Sequence, residues 1–324
     1  MKTIIQLLAE ELGCKEEYVN NVVTLLDEGN TIPFIARYRK EAHGAMDDTA
    51  LRTLETRLQY LRNLQQRRDE VKSAVEAQGK LTDELARSID NAATLAEVED
   101  LYRPYKQKRR TRATIAKEKG LEPLADAIFA QDRNGKAPEE LAKDFLNPDL
   151  GVETIEDALS GASDIIAERI SDDAELRKSL RARMQKSALC ESKAAKEDED
   201  SVYRLYYDFH QPVSKLQSHQ VLALNRGEKE GYLKVALDLD RMEAMQLIQR
   251  RVVKPGSPAM AFLAAAAEDS YDRLLAPSME RELRTALTDT ANEQAIHNFA
   301  LNLRPLLMQP PVKGAVTMGL DPGY

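Results

Sequence analysis

Leu51, Leu54, Leu58, Leu61, Leu64, Val71 and Val75 follow one another mostly at spacings of three and four. That period places them along a single face of an α-helix and predicts one continuous helix over 48–78, capped by Asp48 and stopped at Gly79. Arg52, Arg57, Arg62, Arg67 and Arg68 fall on the opposite face. A charged, solvated face is the ordinary property of such a helix, and the same arginines could also extend a basic surface.

The rest of the chain reads mostly in the same way. Charged residues make up 31% of the 324 positions, Gly and Pro number only 14 and 13, and Trp is absent, a balance that favours helix over sheet. Ile4, Ile5, Leu7, Leu8 and Leu12 form a helical stripe ending at Gly13, and Val19, Val22, Val23, Leu25 and Leu26 form a second ending at Gly29. Two short helices around a glycine turn fit a helix-turn-helix and fit an ordinary helical hairpin equally well. The second helix carries Glu16, Glu17, Asp27 and Glu28 against Lys15 alone, which argues against a DNA-reading role.

Thr82 and Thr94 are placed to cap two further helices, the second with Glu97 in a capping box. Pro123 and Pro138 suit first helical turns, and Thr154 and Ser171 or Asp172 suit caps, so 121–190 reads as a compact unit of short helices around Ile165, Ile166, Ile170 and Leu176. The acidic stretch 191–200 reads as a mobile loop. Beyond it the period drops to two, at Tyr203, Leu205 and Tyr207 and again at Leu233, Val235, Leu237 and Leu239, which predicts a small β element within 200–240. Helices then resume, the last from about Ser278 to Leu307 with Pro305 in its final turn. Ala315-Val-Thr-Met-Gly-Leu320, ended by Asp321-Pro-Gly, reads as a short strand that lacks a sheet partner, either frayed or lying against helices.

Residues 102–112, Tyr-Arg-Pro-Tyr-Lys-Gln-Lys-Arg-Arg-Thr-Arg, contain six basic residues and no acidic one, in a chain of formal net charge −8. Arg103, Lys106, Lys108, Arg109, Arg110 and Arg112 would attract phosphates if they share one surface, with Tyr105 available to stack on a base or to pack beside Pro104. The same run could equally be a solvated loop whose arginines pair with neighbouring carboxylates.

Around that run stand Thr31-Ile-Pro-Phe-Ile-Ala-Arg-Tyr-Arg-Lys-Glu41, Leu58-Gln-Tyr-Leu-Arg62, Gly120-Leu-Glu-Pro-Leu-Ala125, Ser218-His219, Arg226-Gly-Glu228 and Met318-Gly-Leu-Asp-Pro-Gly-Tyr324. In this order the strings resemble the Tex family of bacterial transcription accessory proteins, over the whole of this chain. The resemblance implies a nucleic-acid-binding, transcription-related accessory factor. It further implies that the chain is an N-terminal part, ending in the first strand of an RNase H-like (YqgF-type) domain, with helix-hairpin-helix and OB-fold RNA-binding domains beyond. Asp321 stands where RNase H-like nucleases carry a metal-ligating carboxylate. One carboxylate does not make a two-metal site, and the resemblance implies an inactive version of that domain.

Other chemistry finds little support. Cys14 and Cys190 sit in no Cys-x-x-Cys or Cys/His cluster, as expected of inert thiols in a reducing cytoplasm. His43, His210, His219 and His297 show no metal-binding spacing, and no phosphate-cradling glycine motif occurs, so neither cofactor nor metal is expected. Glu10 and Glu11 interrupt the apolar start, which reads as an amphipathic helix, and no apolar run approaches a membrane span.

The sequence thus predicts a mainly α, elongated multi-helical assembly with a helix-turn-helix-like start and a cytoplasmic location. Its expected divisions are 1–100, 101–200, 201–314 and 315–324. The expected role is a non-catalytic binding and scaffolding module that contacts RNA or DNA without reading sequence, and with it the transcription machinery. Its site would be Arg103, Lys106, Lys108, Arg109, Arg110 and Arg112, helped by Arg37, Arg39 and Lys40. The competing expectations are that these last arginines hold helices together by buried ion pairs, and that the chain is a structural scaffold or protein-interaction module positioning RNA-binding domains it does not contain.

Overall fold

The computed structural model describes all residues except 1, 108, 196–200, 311–312, 317 and 322–324. The chain is mainly α-helical and divides into two compact units, the first comprising 1–111 with 172–174 and the second 112–171 with 175–324.

In the first unit Thr3 caps α1 (Ile4–Leu12) through a reciprocal capping box with Gln6, and the chain turns at Gly13 into α2 (Glu16–Asp27). A short α3 (Ile32–Tyr38), with Pro33 in its first turn, leads to α4 (Asp48–Glu76). The cap of α4 is Asp47 and not Asp48: its carboxylate accepts from the Ala50 N–H at 2.7 Å. Gly79, at φ +67°, closes the other end, its N–H reaching the Glu76 carbonyl at 2.8 Å. Thr82 and Thr94 then cap α5 (Asp83–Asn91) and α6 (Leu95–Tyr102).

The α4 stripe is buried throughout, yet it does not serve a single core. Leu51, Leu54, Leu58 and Leu61 pack with Leu8, Val19, Val22, Ile32 and Ile35. Leu64, Val71 and Val75 pack instead with Ile89 and Val98. One helix therefore forms a wall of two hydrophobic clusters.

The second unit holds α7 (Arg112–Glu118), α8 (Glu122–Ala130), α9 (Pro138–Ala142), α10 (Ile155–Ser171) and α11 (Ala174–Ser187). These are followed by β1 (Leu189–Ala194), β2 (Asp208–Pro212), α12 (Ser218–Lys229), β3 (Leu233–Asp238), α13 (Arg241–Val252), α14 (Met260–Asp269) and α15 (Ala276–Leu307). Pro123 and Pro138 occupy first turns, and the Thr154 hydroxyl accepts from the Asp157 N–H at 3.1 Å at the head of α10. Ala158, Ala162, Ile165, Ile166 and Ile170 make α10 the buried axis of this unit, packed by α7, α8, α9 and α14.

The sheet is antiparallel, in the order β2-β1-β3, with Cys190 opposite Gln211 on one side and Leu237 on the other. Its central strand occupies residues expected to be helix end and acidic loop. Cys190 and Ser192 alternate inward, and because they are small and not strongly apolar the strand reads as polar in sequence. Residues 196–200 of the expected loop lie outside the described residues. The alternation at Tyr203, Leu205 and Tyr207 is not a strand. Tyr206 and Tyr207 donate their N–H groups to the carbonyls of Tyr203 and Arg204 in a 3-10 turn, and Leu205 is 86% exposed. β3 lies where period two predicted it.

The motif residues Ser218, Arg226, Gly227 and Glu228 lie on α12. Ser218 hydrogen-bonds Gln294, Asn225 donates to Thr288 at 2.9 Å, and Glu228 accepts from Arg284 at 2.7 Å, so α12 is pinned along α15. A Cβ on Gly227 would lie 2.5 Å from Leu233 Cδ1, so only glycine lets α12 lie this close to β3. α15 continues past Pro305 to Leu307, and all its side chains from 292 onward are exposed. No strand forms over the described residues of 315–320, where Val316, Met318 and Leu320 are exposed. A single extended segment with no neighbouring edge has nothing to bond its backbone groups.

Among the described residues no helix is long and apolar enough to cross a membrane, and no group of three or more His, Cys, Asp or Glu is placed to hold a metal ion. Both cysteines are free thiols, Cys14 partly exposed and Cys190 buried, with burial pushing the Cys190 thiol up to about 11.

Candidate nucleic-acid interface

The arginine face of α4 does not form a basic surface. Arg57 makes two parallel hydrogen bonds of 2.7 Å to the Glu11 carboxylate of α1, and Arg62 makes two of 2.7 and 2.8 Å to Asp27 of α2. Arg67 bonds Glu99 of α6 at 2.6 Å and Glu70 at 3.0 Å, Arg52 bonds Asp48 at 2.8 Å, and Arg68 donates to the Ala92 carbonyl at 2.7 Å. These are charge-assisted, partly bidentate contacts, and they clamp α4 to α1, α2 and α6. For Arg52, Arg57, Arg62 and Arg67 the charge is already neutralised by carboxylates of the fold.

Hydrogen bonds from Arg57 and Arg62 hold the Glu11 and Asp27 carboxyls below their ordinary values. A depressed folded-state pKa stabilises the protein above the unfolded-state pKa, and that stability disappears as the pH falls through the folded value. Acid titration of the R57A/R62A variant against the parent is therefore expected to show a stability difference of about 0.5 kcal/mol per exposed pair near neutrality, vanishing below the carboxylate range. A difference that persists unchanged at low pH would mean that the arginines act through packing alone.

The basic run is differently placed. Pro104 sits in a 3-10 turn, Arg103–Tyr105, that ends α6, and the chain then leaves regular structure until Arg112 opens α7. Tyr105 is a packing residue: its ring lies against the Leu64–Val98 cluster and its carbonyl accepts from Gln78 at 2.9 Å. Arg103 donates to Asp172 at 3.1 Å and so ties down the start of the run. Lys106, Arg109, Arg110 and Arg112 are exposed, and Lys106 and Arg109 enter no ion pair among the described residues. Lys108 lies outside the described residues. The boundary between the two units falls between Thr111 and Arg112, inside the run.

Arg37, Arg39 and Lys40, at the end of α3, are exposed and form no ion pair among the described residues, so they are not the buried clamps that the sequence left open. The Arg39 guanidinium lies 5.4 Å from the centroid of Phe34, whose ring is 5.3 Å from Tyr38, itself 58% exposed. The mixing of apolar and basic letters in this segment thus produces an exposed aromatic–cation cluster. α3 packs on α2 and α4 by the first hydrophobic cluster, whereas Tyr105 packs on the second, so the structure places the two basic groups at different clusters.

Comparison with known proteins agrees with the order of these motifs. Residues 2–76 match the family model for a Tex-like protein N-terminal domain, and residues 133–299 match the model for a Tex central region. The chain is 46% identical to the uncharacterized protein YdcI of Bacillus subtilis, over 98% of this chain and 45% of that protein. It is 41% identical to protein tex of Bordetella pertussis, over 99% and 42%. It is 31% identical to the human S1 RNA-binding domain-containing protein 1, over 99% and 34%. The chain spans under half the length of these curated relatives.

Proposed function

This chain belongs to the Tex family, and on that premise we propose that it is a non-catalytic, sequence-nonspecific nucleic-acid-binding and scaffolding module of a cytoplasmic transcription accessory factor. The observation that carries the reading is the contrast between two sets of cations. The arginines of α4 are bound to acids or carbonyls of the fold, whereas Lys106 and Arg109 are exposed and enter no ion pair among the described residues, on a segment without a carboxylate that also carries the exposed Arg110 and Arg112. Exposed cations on an irregular segment can follow a phosphate backbone, positioning a strand without reading its bases. Lys108 would add to this set, and Arg103 would anchor it. Arg37, Arg39 and Lys40 would supply further phosphate contacts, with Tyr38 offering a face on which an unpaired base can stack. Relatives named as a transcriptional accessory protein and as an S1 RNA-binding domain protein support RNA or DNA, and with it the transcription machinery, as partner.

The test replaces Lys106, Arg109, Arg110 and Arg112 by Glu and measures binding of labelled single-stranded RNA and duplex DNA against salt. All sequences are expected to weaken alike, by roughly tenfold or more, with a shallower slope of affinity on salt concentration. Binding that survives the reversal unchanged moves the contact elsewhere. Absence of binding in the parent at low salt favours the second reading, a scaffold or protein-interaction module. That reading is supported by the exposed apolar side chains Ile296, Phe299, Leu303, Leu306 and Leu307 on α15.

A further inference from the structure

α11 carries five cations and one carboxylate, and four of the cations divide between two faces. Arg177 and Arg181 turn to Glu282 of α15. Arg183 and Lys186, together with Ser179 and Ala182, turn the other way, toward Glu243, Gln246, Leu247 and Arg250 of α13. The two sets follow three-four spacing on their respective helices, so each presents one continuous face. Between them lies an open groove of about 380 Å³. This is the size range of small-ligand sites, and six of its eight lining residues are polar or charged, their aliphatic stems forming part of the wall.

Three cations and one carboxylate border the groove, and that carboxylate is engaged. Glu243 is paired with Arg183 and accepts from the Ser187 hydroxyl at 3.2 Å, which leaves the Arg183 guanidinium held in place at the groove edge. Lys186 and Arg250 are exposed and form no ion pair among the described residues. Gln246 adds amide donors. Among the described residues no aromatic side chain lines the groove to offer a face for a base, and Leu247 is the one large apolar side chain there. Such a lining recognises oxyanions and ignores what they are attached to.

We propose that the α11–α13 groove is a second phosphate-binding surface, in which Lys186 and Arg250 hold the phosphodiester backbone of a nucleic-acid strand and Arg183 is fixed beside them by Glu243. It lies wholly within the second unit and does not depend on the basic run at 103–112. The two surfaces can therefore succeed or fail separately.

The experiment compares the full chain with the K186E/R250E variant and with the variant reversed at Lys106, Arg109, Arg110 and Arg112. A labelled single-stranded RNA 20-mer is titrated at several salt concentrations, and pyrophosphate is titrated in parallel by NMR. K186E/R250E is expected to weaken the 20-mer roughly tenfold and to lower the salt slope by about 1.4, the value for two single-strand phosphate contacts. The loss should appear equally in the background of the reversed run. K186Q/R250Q should give about half the effect, and because both side chains are exposed, circular dichroism and the unfolding midpoint should not move. Unchanged affinity and slope in K186E/R250E overturn the proposal. So does a parent chain that binds pyrophosphate but not the 20-mer, since the groove would then be a small-anion site. A parent that binds neither overturns it as well.

Discussion

Leu54→Ala is expected to destabilise the first unit by about 3 kcal/mol, read as a shift in the urea midpoint at unchanged slope. Leu54 is fully buried on α4, in the cluster that also contains Leu8, Val19, Val22, Ile32 and Ile35. Its truncation removes the transfer free energy of the lost carbons and leaves a cavity, because α1, α2 and α3 are tied to one another by short turns and the Arg57 and Arg62 clamps tie α1 and α2 to α4. The control is Leu301→Ala on the exposed part of α15, 55% accessible, which is expected to stay within about 0.5 kcal/mol of the parent. A cost below about 1 kcal/mol for Leu54→Ala would show that the cluster collapses around the deletion and that α4 is less firmly held than its burial implies.

The second large effect lies where α11 meets α15. The Arg177 side chain is 3% exposed, and its guanidinium donates to Glu282 at 3.1 Å and to the Ser278 hydroxyl at 3.4 Å. Arg181 is paired with the other oxygen of the same carboxylate. Glu282→Ala takes from the buried Arg177 guanidinium the carboxylate that it shares with Arg181, at a cost of about 3 kcal/mol. Glu282→Gln keeps an acceptor and loses the charge, so it should fall between Ala and the parent. The triple variant R177M/R181M/E282L removes all three charges of the cluster and is expected to recover most of the loss, because apolar side chains need not be desolvated. Chemical denaturation of the three variants decides the matter. If the triple variant is as unstable as Glu282→Ala, packing around α15 and not the lost ion pairs is responsible.

Much of the helical architecture was legible from local chemistry. The three-four period of α4, the hydroxyl caps at Thr82, Thr94 and Thr154 and the stop at Gly79 each depend on residues within one or two turns of each other, so they survive in any context. β3 was legible for the same reason, since its period of two is a local property. The central strand β1 was not. Its inward residues are Cys190 and Ser192, and only pairing with β2 on one side and β3 on the other turns so polar a segment into sheet.

The candidate interface divides along the same line. Composition alone marked 103–112 and the Arg37–Lys40 group as basic, and by sequence the arginines of α4 looked much the same. Only the tertiary fold brings Glu11, Asp27 and Glu99 to Arg57, Arg62 and Arg67, carboxylates up to 46 residues away, and among the described residues it pairs none with Lys106 or Arg109. It is also the fold that divides one α4 stripe between two cores and sets the cations of α11 on opposite faces. Whether a cation is consumed inside the protein or left for a phosphate depends on which distant acids reach it. The sequence determined which segments are helical and where positive charge is concentrated, because both follow from near neighbours. The tertiary structure decided which of those charges remain available, because charge pairing is a long-range property of the folded chain.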